Sequence, residues 1–255
     1  MRPDFIGIGA QKSGTTWIYE TLSSHPDIRF PAGKEIHFWD ARRDMGVSWW
    51  LSQFGAAPDD TADVHAPSIR TGEITPAYAI ISADAIRELY SLCPDLRLFY
   101  VLRNPIERAW SAARMAVLRA EMTVEEASEQ WFLDHFRSAG SRRRGAYAEA
   151  ILRWQSIFPA EQLMIGLFEE MLAEPRAFLS KLCKHIGVDG RFYDTIPDEV
   201  LRRPVFQGPS ASLPPRLRHA LIHQYSDSVV ALGRLLETDL SHWLSESPSD
   251  EPNLG

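Results

Sequence analysis

The apolar run Phe5-Ile6-Gly7-Ile8 leads directly into Gly9-Ala10-Gln11-Lys12-Ser13-Gly14-Thr15-Thr16-Trp17, and a helical pattern follows over residues 15–24. A buried strand, a glycine-bearing turn and a helix start in immediate succession leave the chain few options. The backbone N–H groups of the turn and the positive end of the helix dipole face one point, which suits a phosphate. The rest of the chain continues the alternation. Strand-like runs at 5–8, 69–74, 96–102 and 163–167 are separated by helical patterns over 15–24, 82–92, 105–118, 146–158 and 176–186. A further helical stretch, 214–236, is entered through a double proline. Short apolar strands between amphipathic helices predict an α/β fold with a P-loop-like parallel sheet flanked by helices. The expected organisation is a single domain over residues 1–245 and a flexible tail over 246–255, with the loop 55–67 as the mobile internal segment.

The phosphate loop differs from that of the nucleotide triphosphatases, G-x-x-x-x-G-K-[ST], at one decisive position. Gly9 and Gly14 fit, but Thr15 stands where the lysine belongs, and the lysine is displaced upstream to Lys12. The strand 96–102 ends in Arg103-Asn104-Pro105, a cation where a Mg²⁺ site needs a carboxylate. Arg103 at a parallel strand end, with Ser111 on the helix that follows, forms a plausible phosphate clamp, because arginine binds phosphate oxygens through paired charge-assisted hydrogen bonds. Between these two motifs lies Lys34-Glu35-Ile36-His37-Phe38-Trp39-Asp40. A neutral hydroxyl is a poor nucleophile, so Glu35 and His37 are candidate bases, and on an extended segment the two would face the same side. His65 is a further alternative base.

Lys12-Ser13-Gly14-Thr15-Thr16-Trp17, Arg103-Asn104-Pro105 with Ser111, and Lys34-Glu35-Ile36-His37-Phe38 together resemble the sulfotransferases that use 3′-phosphoadenosine 5′-phosphosulfate (PAPS), closest to their glycan-modifying and bacterial branch. The resemblance spans roughly residues 4–245. It implies that Lys12, Ser13, Gly14, Thr15 and Thr16 bind the 5′-phosphosulfate, that Trp17 packs against adenine, and that Arg103 and Ser111 hold the 3′-phosphate. It also implies that Glu35 is the base, with His37 assisting or replacing it, and that Lys12 stabilises the departing phosphate without a metal ion. Arg202 and Arg203 fall where the family closes a basic, glycine-bearing loop over the 3′-phosphate. Gly72-Glu73-Ile74-Thr75-Pro76-Ala77-Tyr78 resembles the family's Glu-Lys-[Ser/Thr]-Pro-x-Tyr segment, which makes Glu73 and Tyr78 candidates for the acceptor side. Ile74 replaces that lysine, so the chain must manage with fewer cations or recruit one elsewhere. The run 142–144, three arginines, reads as a solvated face. Phe38, Trp39, Trp49, Trp50 and Phe54 either line an acceptor cleft, with Trp39 touching substrate, or pack a helix pair.

The net charge of −7 over 255 residues argues against nucleic acid or an anionic membrane as the main partner, since a polyanion is repelled on average. The expected partner is a small-molecule, glycan or lipid acceptor. No apolar run approaches the roughly 20 residues of a membrane span, and no leader-like segment opens the chain, so the reading is a cytoplasmic protein. Cys93 and Cys183 read as buried thiols rather than a disulfide. The competing classes are a P-loop kinase or triphosphatase and a non-catalytic nucleotide-binding protein.

Overall fold

Phe5, Ile6 and Ile8 are wholly excluded from solvent, as a strand covered on both faces requires. The computed structural model describes residues 1–55, 69–203 and 211–246. In it, β1 (Phe5–Gly9), β2 (Ile28–Arg29), β3 (Arg70–Ile74), β4 (Arg97–Leu102) and β5 (Leu163–Leu167) form one sheet in the order β2-β3-β1-β4-β5. Every pairing in it is parallel. His65, most of the 55–67 loop and the tail beyond residue 246 lie outside the described residues, as does the segment 204–210.

Helices cover both faces of the sheet. They are α1 (Thr15–Ser23), α2 (Phe38–Ala41), α3 (Val47–Ser52), α4 (Ala83–Leu92), α5 (Pro105–Arg119), α6 (Glu129–Arg137), α7 (Ala139–Gly145), α8 (Tyr147–Gln155), α9 (Phe168–Ala173), α10 (Pro175–Ile186), α11 (Asp198–Leu201) and α12 (Pro215–Leu236). Alternation along the strands divides the core. Ile6, Ile8, Leu98, Tyr100 and Leu102 join a cluster that includes Ile106, Trp154, Leu221 and Tyr225, whereas Phe5, Ile74, Phe99 and Val101 join one that includes Ile18, Leu179 and Leu182. Through Leu217, Leu221, Tyr225, Val229 and Leu232, α12 belongs to the same core as the central strand.

Local chemistry explains the boundaries. Ser82 accepts a hydrogen bond from the Ala85 amide at the start of α4. Asn104 accepts one from the Ile106 amide and places Pro105 in the first turn of α5. Several elements were not expected from the sequence, among them β2, α6, α7, α9 and α11. Ser128 caps α6 and Phe132 and Phe136 form its buried face. The helix expected over 146–158 stops at Gln155. Cys93 and Cys183 are both free and buried, and burial pushes their thiols up to about 11 and about 12.

Gly72 pairs with Phe5 in the β1–β3 ladder, and a Cβ there would lie 2.5 Å from the Phe5 carbonyl oxygen. Backbone cannot move aside as a flexible side chain can. Gly72→Ala is therefore expected to cost about 1–3 kcal/mol and lower the melting temperature by several degrees. An unchanged thermal melt contradicts this packing.

Candidate functional site

The carboxyl ends of the strands carry the site, as in other open α/β sheets. The chain leaves β1 through a tight loop in which Lys12 (φ 69°) and Gly14 (φ 71°) both take left-handed backbone, and Gly14 immediately precedes α1. The Ser13 side chain is fully buried, and its hydroxyl has no hydrogen-bond partner among the described residues. At the end of β4, Arg103 is 3% exposed; its Nη1 donates to the Lys12 carbonyl at 3.0 Å and its guanidinium lies 4.6 Å from the Phe168 ring centroid. The two motifs identified in the sequence therefore meet at Lys12.

The Lys12 ammonium sits among like charges. Burial lowers its pKa to about 8, and Arg103, Arg114, Arg119 and Lys34 push in the same direction. Arg114 is one turn beyond Ser111 on α5, and burial and Arg103 also hold its pKa down. Cations crowded in this way oppose one another unless an anion joins them.

A cavity of about 940 Å³ opens in front of this cluster. Six cationic side chains line it, Lys12, Lys34, Arg119, Arg144, Arg202 and Arg203, against the carboxylates Glu35 and Asp40. In a chain of net charge −7 that is a local reversal of sign. Gly14, Thr15, Thr16 and Trp17 also line it. The Trp17 indole donates to the Leu201 carbonyl at 2.8 Å, which fixes the ring edge and leaves a face for the cavity. Arg202 donates to the carbonyls of Leu172 and Ala173 at 3.1 and 3.0 Å and so closes the end of α9.

On the opposite wall, Glu35, His37 and Asp40 form a chain of contacts. Glu35 Oε2 lies 3.0 Å from His37 Nε2, and His37 Nδ1 lies 3.0 Å from Asp40 Oδ2. Both contacts are N–H donations only when the ring carries both protons. The other Glu35 oxygen accepts from Lys34 Nζ at 3.1 Å, and the same ammonium donates to Thr16 Oγ1 at 3.0 Å. Lys34 thus links the phosphate loop to the carboxylate. The segment is neither extended nor helical at these positions: Glu35 (φ 66°) and His37 (φ 58°) are left-handed, and their side chains converge. Such backbone costs about 1–3 kcal/mol per residue and persists where surroundings over-determine it. The other two non-glycine residues of positive φ, Glu121 and Glu237, follow helix ends, where left-handed geometry is ordinary.

The structure brings together Lys12, Gly14, Thr15, Thr16, Trp17, Glu35, His37, Arg202 and Arg203 around one cavity. It does not bring Arg103 or Ser111 to the cavity lining; they are 3% and 4% exposed, in the wall behind Lys12. Glu73, Tyr78 and Trp39 are also buried outside the lining, so the expectation that they touch substrate is not met by the described geometry. Phe38, Trp39, Trp50 and Phe54 pack on one another instead, with Phe38 stacked on Trp50 at 5.8 Å. The arginine run also departs from expectation: Arg142 and Arg143 are exposed, but Arg144 is half-buried and lines the cavity. Lys34, Arg119 and Arg144 supply the cations that Ile74, fully buried, does not.

Comparison with known proteins gives a consistent result. The profile of the family described as "Sulfotransferase domain" matches residues 2–208. The human heparan sulfate glucosamine 3-O-sulfotransferase 6 is 27% identical over 199 residues, covering 75% of this chain and 55% of that protein, so the chain spans about half the length of this curated relative. A sulfotransferase from Alicyclobacillus acidocaldarius superposes with a TM-score of 0.72 at 26% identity, covering 96% of this chain and 100% of that one. A mouse sulfotransferase complexed with PAP shares the fold, with a TM-score of 0.56 at 16% identity over 92% of this chain and 87% of that one.

The crowding of cations predicts a cost in stability. A charged lysine at this position opposes folding, so Lys12→Met should raise the melting temperature at about pH 7. The native amine loses its proton near pH 8, whereas the unfolded one keeps it to 10.5, so the gain should shrink as pH rises through that window. A variant that melts lower than the parent at about pH 7 contradicts the placement of the charge.

Proposed function

The chain belongs to the sulfotransferase-domain family, and from that premise we propose that it transfers a sulfuryl group from PAPS to a hydroxyl or amine acceptor. The observation that carries the reading is the link made by Lys34. One ammonium touches Thr16 of the glycine-bearing loop and Glu35 across the same cavity, which supports a reading with donor phosphate on one side and base on the other.

Glu35 removes the acceptor proton, the acceptor oxygen or nitrogen forms a bond to sulfur, and the bond from sulfur to the bridging oxygen of the 5′-phosphate breaks in line. Lys12 stabilises the negative charge on the departing phosphate, and the backbone amides of residues 13–16 hold it at the start of α1. His37, held by Asp40, orients Glu35 through the oxygen that Lys34 does not use. Trp17 offers its face to the adenine.

We assign the 3′-phosphate to Arg103 and Ser111, with Arg203 contributing from the cavity rim. The motif and the contact of Arg103 with Lys12 support this assignment. It requires that these two covered side chains become accessible on binding. Arg202 is committed to the end of α9 and fits that role less well. The acceptor is a small molecule, a glycan or a lipid-linked alcohol, and the free thiols Cys93 and Cys183 fit a reducing, cytoplasmic setting. No helix among the described residues is long and apolar enough to cross a membrane.

The triphosphatase reading is disfavoured by Thr15 at the lysine position and by Arg103 immediately after β4, where a carboxylate would be needed. Transfer of labelled sulfate from PAPS across an acceptor panel tests the proposal. Lys12→Ala should lower turnover about 10²–10⁴-fold while the protein stays folded. Near-native turnover in Lys12→Ala overturns the assignment. Glu35→Gln should abolish transfer and His37→Ala should reduce it less; the reverse order makes His37 the base.

A further inference from the structure

Glu73 is fully buried and is the best-connected carboxylate in the core. Its Oε1 accepts from the Trp50 indole at 2.9 Å and from the Tyr78 hydroxyl at 3.3 Å, and its Oε2 accepts from the Thr75 hydroxyl at 2.7 Å. Burial nevertheless raises the Glu73 pKa to about 7, against the combined effect of these donors. Tyr78, also fully buried, receives the Phe38 amide on its hydroxyl at 3.0 Å. The Ile74 carbonyl receives the Glu35 amide at 3.2 Å.

These contacts have a common target. The end of β3 and the turn after it hold the backbone amides of residues 35 and 38. Between those anchor points stand the two left-handed residues, Glu35 and His37, whose side chains meet at 3.0 Å. Left-handed backbone at two non-glycine positions needs outside support, and nothing in the local sequence Lys34-Glu35-Ile36-His37 supplies it. The buried carboxylate and phenol do.

We propose that Glu73 and Tyr78 are positioning residues: Tyr78, held by Glu73, clamps the backbone at Phe38 so that Glu35 and His37 project together into the cavity. Trp50 and Thr75 complete the clamp by satisfying Glu73. The proposal rests on Glu35 being the base for its consequence in turnover, and on the geometry alone for its consequence in backbone order.

Two readouts test it. The first is the slow hydrolysis of labelled PAPS, in which water takes the place of the acceptor, together with the affinity for PAP. Tyr78→Phe removes only the hydroxyl; it should lower hydrolysis about 10–100-fold and leave PAP affinity within about twofold, because the displaced group is the base and not the phosphate loop. Trp50→Phe takes a donor from Glu73 but none from residues 35–38, and it should lower hydrolysis less than the Tyr78 change at matched loss of melting temperature. The second is hydrogen exchange over a peptide covering residues 34–41, which should quicken at least about tenfold in Tyr78→Phe while peptides from β1 and β4 keep their protection.

Equal effects of the two variants on hydrolysis, in proportion to stability, make the role merely structural and overturn the proposal. So does unchanged exchange over residues 34–41. If exchange quickens as expected but Glu35→Gln retains full turnover, the clamp stands and it is the assignment of the base that fails.

Discussion

A lysine ammonium held partly buried among four other cations is the constraint from which the rest of the site follows. Lys12 reaches that place because the loop after β1 turns through left-handed backbone at Lys12 and Gly14, and because Arg103 fixes the Lys12 carbonyl from the end of the neighbouring strand. The arrangement is unfavourable in isolation, since burial and like charges both act against the ammonium. Its purpose is to meet an anion with charge already oriented, so that little reorganisation accompanies binding or bond cleavage. The displacement of the lysine from its place in triphosphatase loops then has a physical meaning. On the proposed mechanism, the ammonium upstream of Gly14 neutralises the leaving 5′-phosphate.

The acceptor wall obeys a complementary rule. There the strain lies in Glu35 and His37, and the support comes from residues wholly inside the core. Strained backbone at a reactive segment and a satisfied polar network beneath it belong together, because the second holds the first in place. Lys34 ties this wall to the donor side, and the short path from Thr16 through Lys34 to Glu35 keeps base and phosphate loop in register.

Much of this was legible in the residues. The loop from Gly9 to Thr16, the strand end at Arg103 and the Glu35–His37 pair are local patterns in which residue type and spacing carry the chemistry, and the parallel sheet follows from apolar runs alternating with amphipathic helices. Long-range geometry was less legible. Arg144 looks like its neighbours Arg142 and Arg143 in a charged run, and only the path of α7 against α5 turns it inward. Glu73 and Tyr78 carry polar groups that suggest contact with substrate, yet they lie behind the wall; that distinction depends on the depth of β3, which sequence spacing does not encode. Arg103 and Ser111 are both covered. The left-handed backbone at Glu35 and His37 was not legible either, because tertiary contacts from residues 73–78 hold it.

The central claim is that the cluster around Lys12 accepts a nucleotide carrying phosphate on both sides of its ribose. Titration calorimetry with PAP, set beside adenosine 5′-phosphate and ATP with Mg²⁺, tests it most directly. PAP should bind at least about tenfold more tightly than either, since the second phosphate adds charge-assisted hydrogen bonds worth about 1.5–3 kcal/mol each. Equal affinity for PAP and adenosine 5′-phosphate, or preference for ATP with Mg²⁺, contradicts the account.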